Sequence, residues 1–532
     1  MQGPRARVVP DPVIRQGQGL NVKGRRLAMN LIELFEPNLG GRADQPALLA
    51  ENRWLSFGEL DRVSASVAAA LRDRHGLGKG DRAALYLANG PAWVLFYLAC
   101  LKLGVIVVPV NLLYRRKELA DLIGDAEPKV LLTDAARLDL VQEMRGGFSS
   151  LTAVILAGDA ADLSTVPFSQ LADHVPAAFE SRQVTGDDAA LMLYTSGTTG
   201  RSKGAVLSHH NLASNIIALL HVWQWTRADR FVLCLPLFHA HGLCNGLHGA
   251  LASGCRTHLC QRFHAAPVIE LLHCWPATLF FGVPTMYERL LEAADAGHPV
   301  PQAMRLYVSG SAPLSPDAFN RFRRKFGHDI LERYGMSETV MISSNLYASN
   351  RVPGTVGKPL PGVSVRLMGQ DGRLIDAASQ PGEIQVTGPN VFKAYWHDAA
   401  KTEASFVDGW FKTEDLGQWD VQGRLIICGR MKELIISGGF NIYPQELNNV
   451  LCAHSQISEA AVIGVPDQMR GELVKAYVVA SDRELGSEAV IEHCRSHLAS
   501  FKVPRSVVFL DRLPRNGMGK VQLHRLPERD RL

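Results

Sequence analysis

Three features of the chain predict an α/β protein built on parallel sheets. Between Asp81 and Ile330, short apolar runs alternate with stretches of helical length and periodicity, the pattern of repeated strand–helix–strand units. After Arg351 the texture changes to short strands punctuated by Pro353-Gly, Pro361-Gly and Pro381-Gly, which indicates a small β-rich subdomain. Beyond Gly429 a compact mixed unit follows, with strands expected over 460–464, 474–480 and 506–510 and a helix over 488–498.

Residues 1–28 stand apart. Arg5, Arg7, Arg15, Lys23, Arg25 and Arg26 face a single acid, Asp11. Such a leader has the charge of a transit peptide but no serine, three prolines and poor amphipathicity. A disordered leader, or a start at Met29, is expected. The strands of the main body are expected over 83–87, 130–132, 153–156, 278–281 and 306–309, with helices over 92–103, 268–274, 286–294 and 316–326. The most apolar stretch, from Trp93 to Leu113, approaches the length that spans a bilayer, but Lys102, Gly104 and Pro109 interrupt it. A helix over 93–103 and a buried strand over 105–110 account for it better.

At 532 residues the chain can bury more than one core. A net charge of +4 is too small at this length to imply a nucleic-acid partner. Nine cysteines with no CxxC pair indicate a reducing compartment, so the expected location is cytoplasmic, or mitochondrial should the basic leader act as a transit peptide.

The run from Tyr194 to Ala205 is the most informative. Hydroxyls, glycines and Lys203 lie between an apolar strand-like run, 190–193, and a helix-like run, 209–223. Glycines admit close backbone approach, hydroxyls and amides donate to oxygen, and lysine adds a point charge, so the segment suits a polyphosphate. Ser202 stands where a Walker A loop needs its second glycine, which excludes that motif.

Further motifs follow in order: Leu235-Pro-Leu-Phe-His239, Gly310-Ser-Ala-Pro313, Tyr334-Gly-Met-Ser-Glu338, Gly409-Trp-Phe-Lys-Thr-Glu-Asp415, Gly429-Arg-Met-Lys432, Ser437-Gly-Gly-Phe440 and Asn516-Gly-Met-Gly-Lys520. Each is weak alone. As an ordered set they resemble the adenylate-forming enzymes, which include acyl-CoA synthetases, peptide-synthetase adenylation domains and firefly-type luciferases. The resemblance covers nearly everything from about Asn30 onward. It implies a large AMP-binding domain over 29–430 and a mobile α+β C-terminal lid over 431–532, hinged near Lys432.

The same resemblance assigns roles. Lys520 is the lid lysine that bridges the acid's carboxylate and the ATP α-phosphate, and Glu338 is the Mg²⁺ ligand. Thr195, Ser196, Gly197, Thr198, Thr199, Gly200 and Lys203 hold the β- and γ-phosphates. Tyr334 stacks on adenine, Gly310, Ser311 and Ala312 line its edge, and Ser337 meets the α-phosphate. Asp415 accepts from the ribose hydroxyls, with Arg430 beside it. His239 flanks the acid and thioester sites, and coenzyme A enters along Ser437, Gly438 and Gly439. A zinc reading of His239 and the later histidines lacks a carboxylate or cysteine at ligand spacing. Glu414 departs from the family's Thr-Gly-Asp by placing bulk and charge beside the nucleotide.

Within the superfamily the closest resemblance is to malonyl-CoA synthetases. It is carried by Pro236-Leu-Phe-His-Ala-His-Gly-Leu243, Gly282-Val-Pro-Thr-Met-Tyr-Glu-Arg289 and Leu331-Glu-Arg-Tyr-Gly-Met-Ser-Glu338, among others. It implies that Arg289 binds the distal carboxylate, as a guanidinium suits a dicarboxylate, with His241 as a second contact. The competing reading of Arg289 is a helix-surface residue pairing with Glu292. The expected activity is ATP-dependent ligation of a small carboxylic acid, malonate, to coenzyme A, without nucleic acid or a membrane span. Alternatives are a medium- or long-chain fatty acyl-CoA synthetase, an adenylation enzyme loading a separate carrier protein, and a nucleotide-binding regulator that lost turnover through Glu414.

Overall fold

The computed structural model describes residues 21–22, 25–26, 29–158, 165–174, 184–195, 203–482, 484–515 and 520–527. Within the leader, Asn21–Val22 pairs antiparallel with Arg25–Arg26, a local departure from the expected disorder. The rest of the leader, and the phosphate-loop residues Ser196, Gly197, Thr198, Thr199 and Gly200, lie outside the described residues.

Two large sheets, of eight and nine strands among the described residues, organise the N-terminal body. In the first, Arg82–Tyr86 runs parallel to Ile106–Pro109 on one side and Val130–Thr133 on the other. In the second, Leu279–Gly282 lies parallel between Arg230–Leu233 and Leu306–Ser309, with Ile330–Tyr334 beyond. The first sheet turns antiparallel at one edge and the second at both. Alternation along the strands covers both faces, as parallel sheets require. Leu85 and Leu132 join Phe231 and Phe281 in one core shared by the two sheets, whereas Ala84 and Leu131 face a second cluster and Phe280 and Tyr307 a third.

The helix Pro91–Leu103 lies in that shared core, and every residue from Trp93 to Leu103 is buried. A helix enclosed on all sides is apolar all round, which explains why its sequence imitates a membrane span. Gly104 ends it in the left-handed region and Ile106–Pro109 follows as a buried strand, as the sequence predicts. No helix among the described residues is long and apolar enough to cross a membrane.

The stretch between the strand-like and helix-like runs carries one more element. Lys203–Ser208 is itself a strand, paired antiparallel with Ala189–Thr195, and only then does His209–Val222 begin, capped by Ser208. The segment is therefore a hairpin connection, and Thr195 and Lys203 face each other across its mouth.

The β-rich subdomain is an antiparallel five-stranded sheet that includes Trp410–Trp419 and Leu425–Arg430. Its core reaches Ile427, and the next core begins at Ile435. The short 3₁₀ turn Met431–Glu433 lies between them. Beyond it, Ile457–Asp467 and Gly471–Ala480 form a long antiparallel ladder, with helices Pro444–Cys452 and Ser487–His497 packed alongside.

Candidate active site

The described residues enclose a cavity of about 320 Å³ whose wall is drawn from both large sheets' loops, the β-rich subdomain and the C-terminal unit. Seven cationic side chains line it against three carboxylates, Glu338, Glu414 and Asp415. A concave wall with this excess of positive charge concentrates anions.

Clamps fix its floor. Asn89 donates to the carbonyls of Leu235 and Cys260 and accepts from the Leu237 amide at 2.9 Å, pinning the segment that presents His239. Asn390 donates to Thr339 O and Met341 O, both at 2.9 Å, pinning the segment after Glu338. Three lining residues hold a left-handed backbone without being glycine: Ser311 at φ 71°, Val340 at 56° and Glu414 at 60°. That conformation costs an L-residue about 1–2 kcal/mol, more for a β-branched one, so strain is concentrated in this wall.

At one end the polar groups are already paired. Tyr334 Oη donates to Asp415 Oδ2 at 2.6 Å, and Arg430 Nε lies 3.4 Å from Asp415 Oδ1. Burial pushes the Asp415 carboxyl above its usual range, with Arg430 and Tyr334 opposing it. Tyr395 Oη donates to Glu338 Oε1 at 3.0 Å, and burial raises that carboxyl too. Lys203 Nζ stands 5.9 Å over the Tyr395 ring. Lys520 reaches the same cavity from the C-terminal unit, and burial beside Arg430 pushes its ammonium down to about 8. Glu414 lines the wall but is held by Lys401 Nζ at 3.2 Å.

At the other end they are not. His239 Nε2, His241 Nε2, both polar atoms of Asn245, and Arg333 Nε and Nη2 are buried without a hydrogen-bond partner among the described residues. Burial pushes His239 down to about 4 and His241 well below the usual histidine range, so both imidazoles are neutral. Arg333 is lowered by burial to about 9 and keeps its charge at neutral pH. It sits on the strand Ile330–Tyr334, and Gly310 makes room for it: a Cβ there would run into the guanidinium.

Of the residues singled out in the sequence, Thr195, Lys203, His239, His241, Ser311, Ser337, Glu338, Asp415, Arg430, Lys432 and Lys520 line this one cavity. Others do not. Arg289 is exposed on the helix Pro284–Asp295, because Tyr287, Leu290 and Leu291 take that helix's buried face. Tyr334, Gly310 and Ala312 lie outside the lining residues, and Tyr334 reaches the cavity through Asp415. Ser437, Gly438 and Gly439 are also outside it, in a tight hairpin turn that pairs Ser437 with Phe440. The two glycines, at φ 57° and 82°, supply the left-handed pair such a turn needs. Sequence reasoning missed Arg333, Asn245 and Lys401. Arg333 was in plain view one residue before Tyr334, and only its burial distinguishes it from a surface arginine.

No group of three or more histidine, cysteine, aspartate or glutamate side chains among the described residues could hold a metal, which removes the zinc reading there. Glu338, a hard carboxylate beside Thr195 and Lys203, suits a Mg²⁺ that takes its remaining ligands from phosphate oxygens and water.

Residues 35–396 match the family model of the AMP-binding enzyme, and residues 446–520 that of the AMP-binding enzyme C-terminal domain. A long-chain-fatty-acid–CoA ligase of Yersinia pestis is 32% identical, covering 92% of this chain and 93% of the relative. An oxalate–CoA ligase of Arabidopsis thaliana is 34% identical, covering 90% and 94%. The crystal structure of ATP-bound MatB from Rhodopseudomonas palustris superposes with a TM-score of 0.84 at 39% identity, covering 93% of this chain and 97% of that one.

Proposed function

The chain belongs to the AMP-binding enzyme family, and we propose that it is an AMP-forming acid–CoA ligase whose acid is a short dicarboxylate, malonate foremost. The observation that carries the dicarboxylate is Arg333. A buried guanidinium with two unpaired donors is costly to hold, and a carboxylate is its natural partner. Arg333 thus takes the role first expected of Arg289. Likeness to an oxalate–CoA ligase, which acts on a two-carboxylate acid, and to MatB supports the same reading.

The reaction has two halves. In the first, a carboxylate oxygen of the acid bonds to the α-phosphorus of ATP and pyrophosphate leaves. In the second, the thiol sulfur of coenzyme A bonds to the acyl carbon, its proton is lost, and AMP leaves. The first half brings two anions together, so Lys520 and Lys203 serve by neutralising that approach. One unit-charge pair at about 4 Å is worth about 4 kcal/mol at an effective dielectric near 20. Asp415, oriented by Tyr334 and Arg430, accepts from the ribose hydroxyls. Glu338 would hold Mg²⁺, which would screen the phosphate charge. Neutral His239 and His241 donate or accept at the acid without adding charge. The lid then turns about the segment near Lys432 so that the Ser437–Phe440 turn replaces Lys520 for the thiol step.

The test is CoA-dependent AMP release with malonate, methylmalonate, acetate, hexanoate and palmitate. Preference for malonate is expected. Preference for hexanoate or palmitate would keep the ligase and discard the dicarboxylate, and silence on every acid would discard both.

A further inference from the structure

Asn245 is wholly buried, lines the cavity, and neither its Oδ1 nor its Nδ2 has a partner among the described residues. Buried amides are almost always satisfied, because an unmet donor or acceptor costs about 1–3 kcal/mol. An amide with both polar atoms unmet, in a residue that lines the cavity, is therefore a site where a ligand's hydrogen bonds would offset that cost. Its backbone setting points the same way. Asn245 lies on a π-helical segment, His241–Leu247, in which the His248 amide donates to the Leu243 carbonyl five residues back. Such segments are rare and collect at functional sites. The wider turn brings residues four apart nearly into line, so His241 and Asn245 share one edge of the helix. His241 in turn lies close enough to Arg333 for the guanidinium to depress its basicity.

We propose that Asn245 is a specificity-determining residue that hydrogen-bonds the far end of the acid, beside the guanidinium of Arg333. Arg333 alone selects for charge. Asn245 adds a neutral donor and acceptor, which selects for a hydrogen-bonding end group whether or not it is charged. The substrate class is thus a short acid with a carboxylate or carboxamide end. An alkyl end of equal size is rejected because it would leave the amide unmet. Sites built to hydrogen-bond a substrate reject the analogue that lacks the group far more strongly than apolar pockets reject an extra methyl. This rests on the acid–CoA ligase reading but not on malonate being the best acid.

The experiment compares malonate, its half-amide malonamate and its apolar isostere isovalerate in the full-length enzyme, by kcat/KM for AMP release. Asn245→Leu, close in volume, is expected to lower the malonate-to-isovalerate and malonamate-to-isovalerate ratios by about 10- to 100-fold each, chiefly through KM for the acid, with KM for ATP unchanged. Asn245→Asp keeps the shape and adds a negative charge, so it should depress malonate further than malonamate, and it serves where the leucine variant does not fold. Equal losses on all three acids, or unchanged ratios, would overturn the proposal and leave Asn245 a structural residue. A wild type that favours isovalerate would overturn the dicarboxylate reading, while the ratio shifts on substitution would still decide the role of Asn245.

Discussion

The two ends of the cavity solve opposite problems. At the end proposed to take ribose and phosphate, the polar groups already satisfy one another: Tyr334 and Arg430 hold Asp415, Tyr395 holds Glu338, and Lys401 holds Glu414. At the end proposed to take the acid, His239, His241, Asn245 and Arg333 are buried with donors or acceptors unmet among the described residues. A ligand common to a whole family can be met by a pre-arranged surface that is stable without it. An acid that must be told from its neighbours is met by groups whose unmet bonds make every wrong ligand costly. Stability is therefore invested at the first end and sacrificed at the second.

Substitutions can break or sharpen that contrast. Lys520 lines the cavity beside Arg430 and Asp415, and Lys520→Ala is expected to slow acyl-adenylate formation by about 10²–10³-fold while ATP affinity by calorimetry stays within about threefold. A variant that adenylates like the wild type would remove Lys520 from the mechanism. At the acid end, Arg333→Met should cost a dicarboxylate about 2–5 kcal/mol in kcat/KM. The same change should raise Tm, because an apolar residue of similar size replaces a buried unpaired charge. A lower Tm would mean that Arg333 is structurally paired and would dissolve the comparison.

At the paired end, Tyr334→Phe should do the reverse. It frees a buried Asp415 oxygen, so Tm falls, KM for ATP rises by the equivalent of about 1 kcal/mol, and KM for the acid holds. A pH series probes Lys520 itself. Lys520 is cationic below about 8 and neutral above, so kcat/KM for adenylation should decline as pH rises through that value. In Lys520→Arg, whose guanidinium keeps its proton, the alkaline limb should vanish; a limb that persists assigns the titration elsewhere. The smallest effect is expected of Glu414→Gly. It removes a left-handed side chain and an exposed ion pair worth less than about 1 kcal/mol, so thermal stability should rise slightly and activity persist. Loss of activity would instead make the Lys401–Glu414 pair part of the site.

Much of the fold was legible because parallel sheets announce themselves. Strands expected over 153–156 and 306–309 fall at Ala153–Leu156 and Leu306–Ser309, and the helix expected over 316–326 is Pro316–Phe326. The strand Lys203–Ser208 was not legible because Gly204 and Ala205 dilute its strand pattern. Arg289 was misplaced for a related reason: sequence spacing puts a residue on a helix but not on the side that faces a cavity.

The sequence by itself determined the family, the order of its sheets, and most of the motif residues that line one cavity. Those depend on short contiguous motifs whose glycines, hydroxyls and charges act locally. Only the tertiary structure decided which buried polar groups line that cavity with unmet bonds. That surface is assembled from the π-helical turn at Asn245, the strand carrying Arg333 and the gap left by Gly310, far apart in the chain. Burial, which no single residue encodes, is what sets the arginine and asparagine there apart from ordinary surface residues.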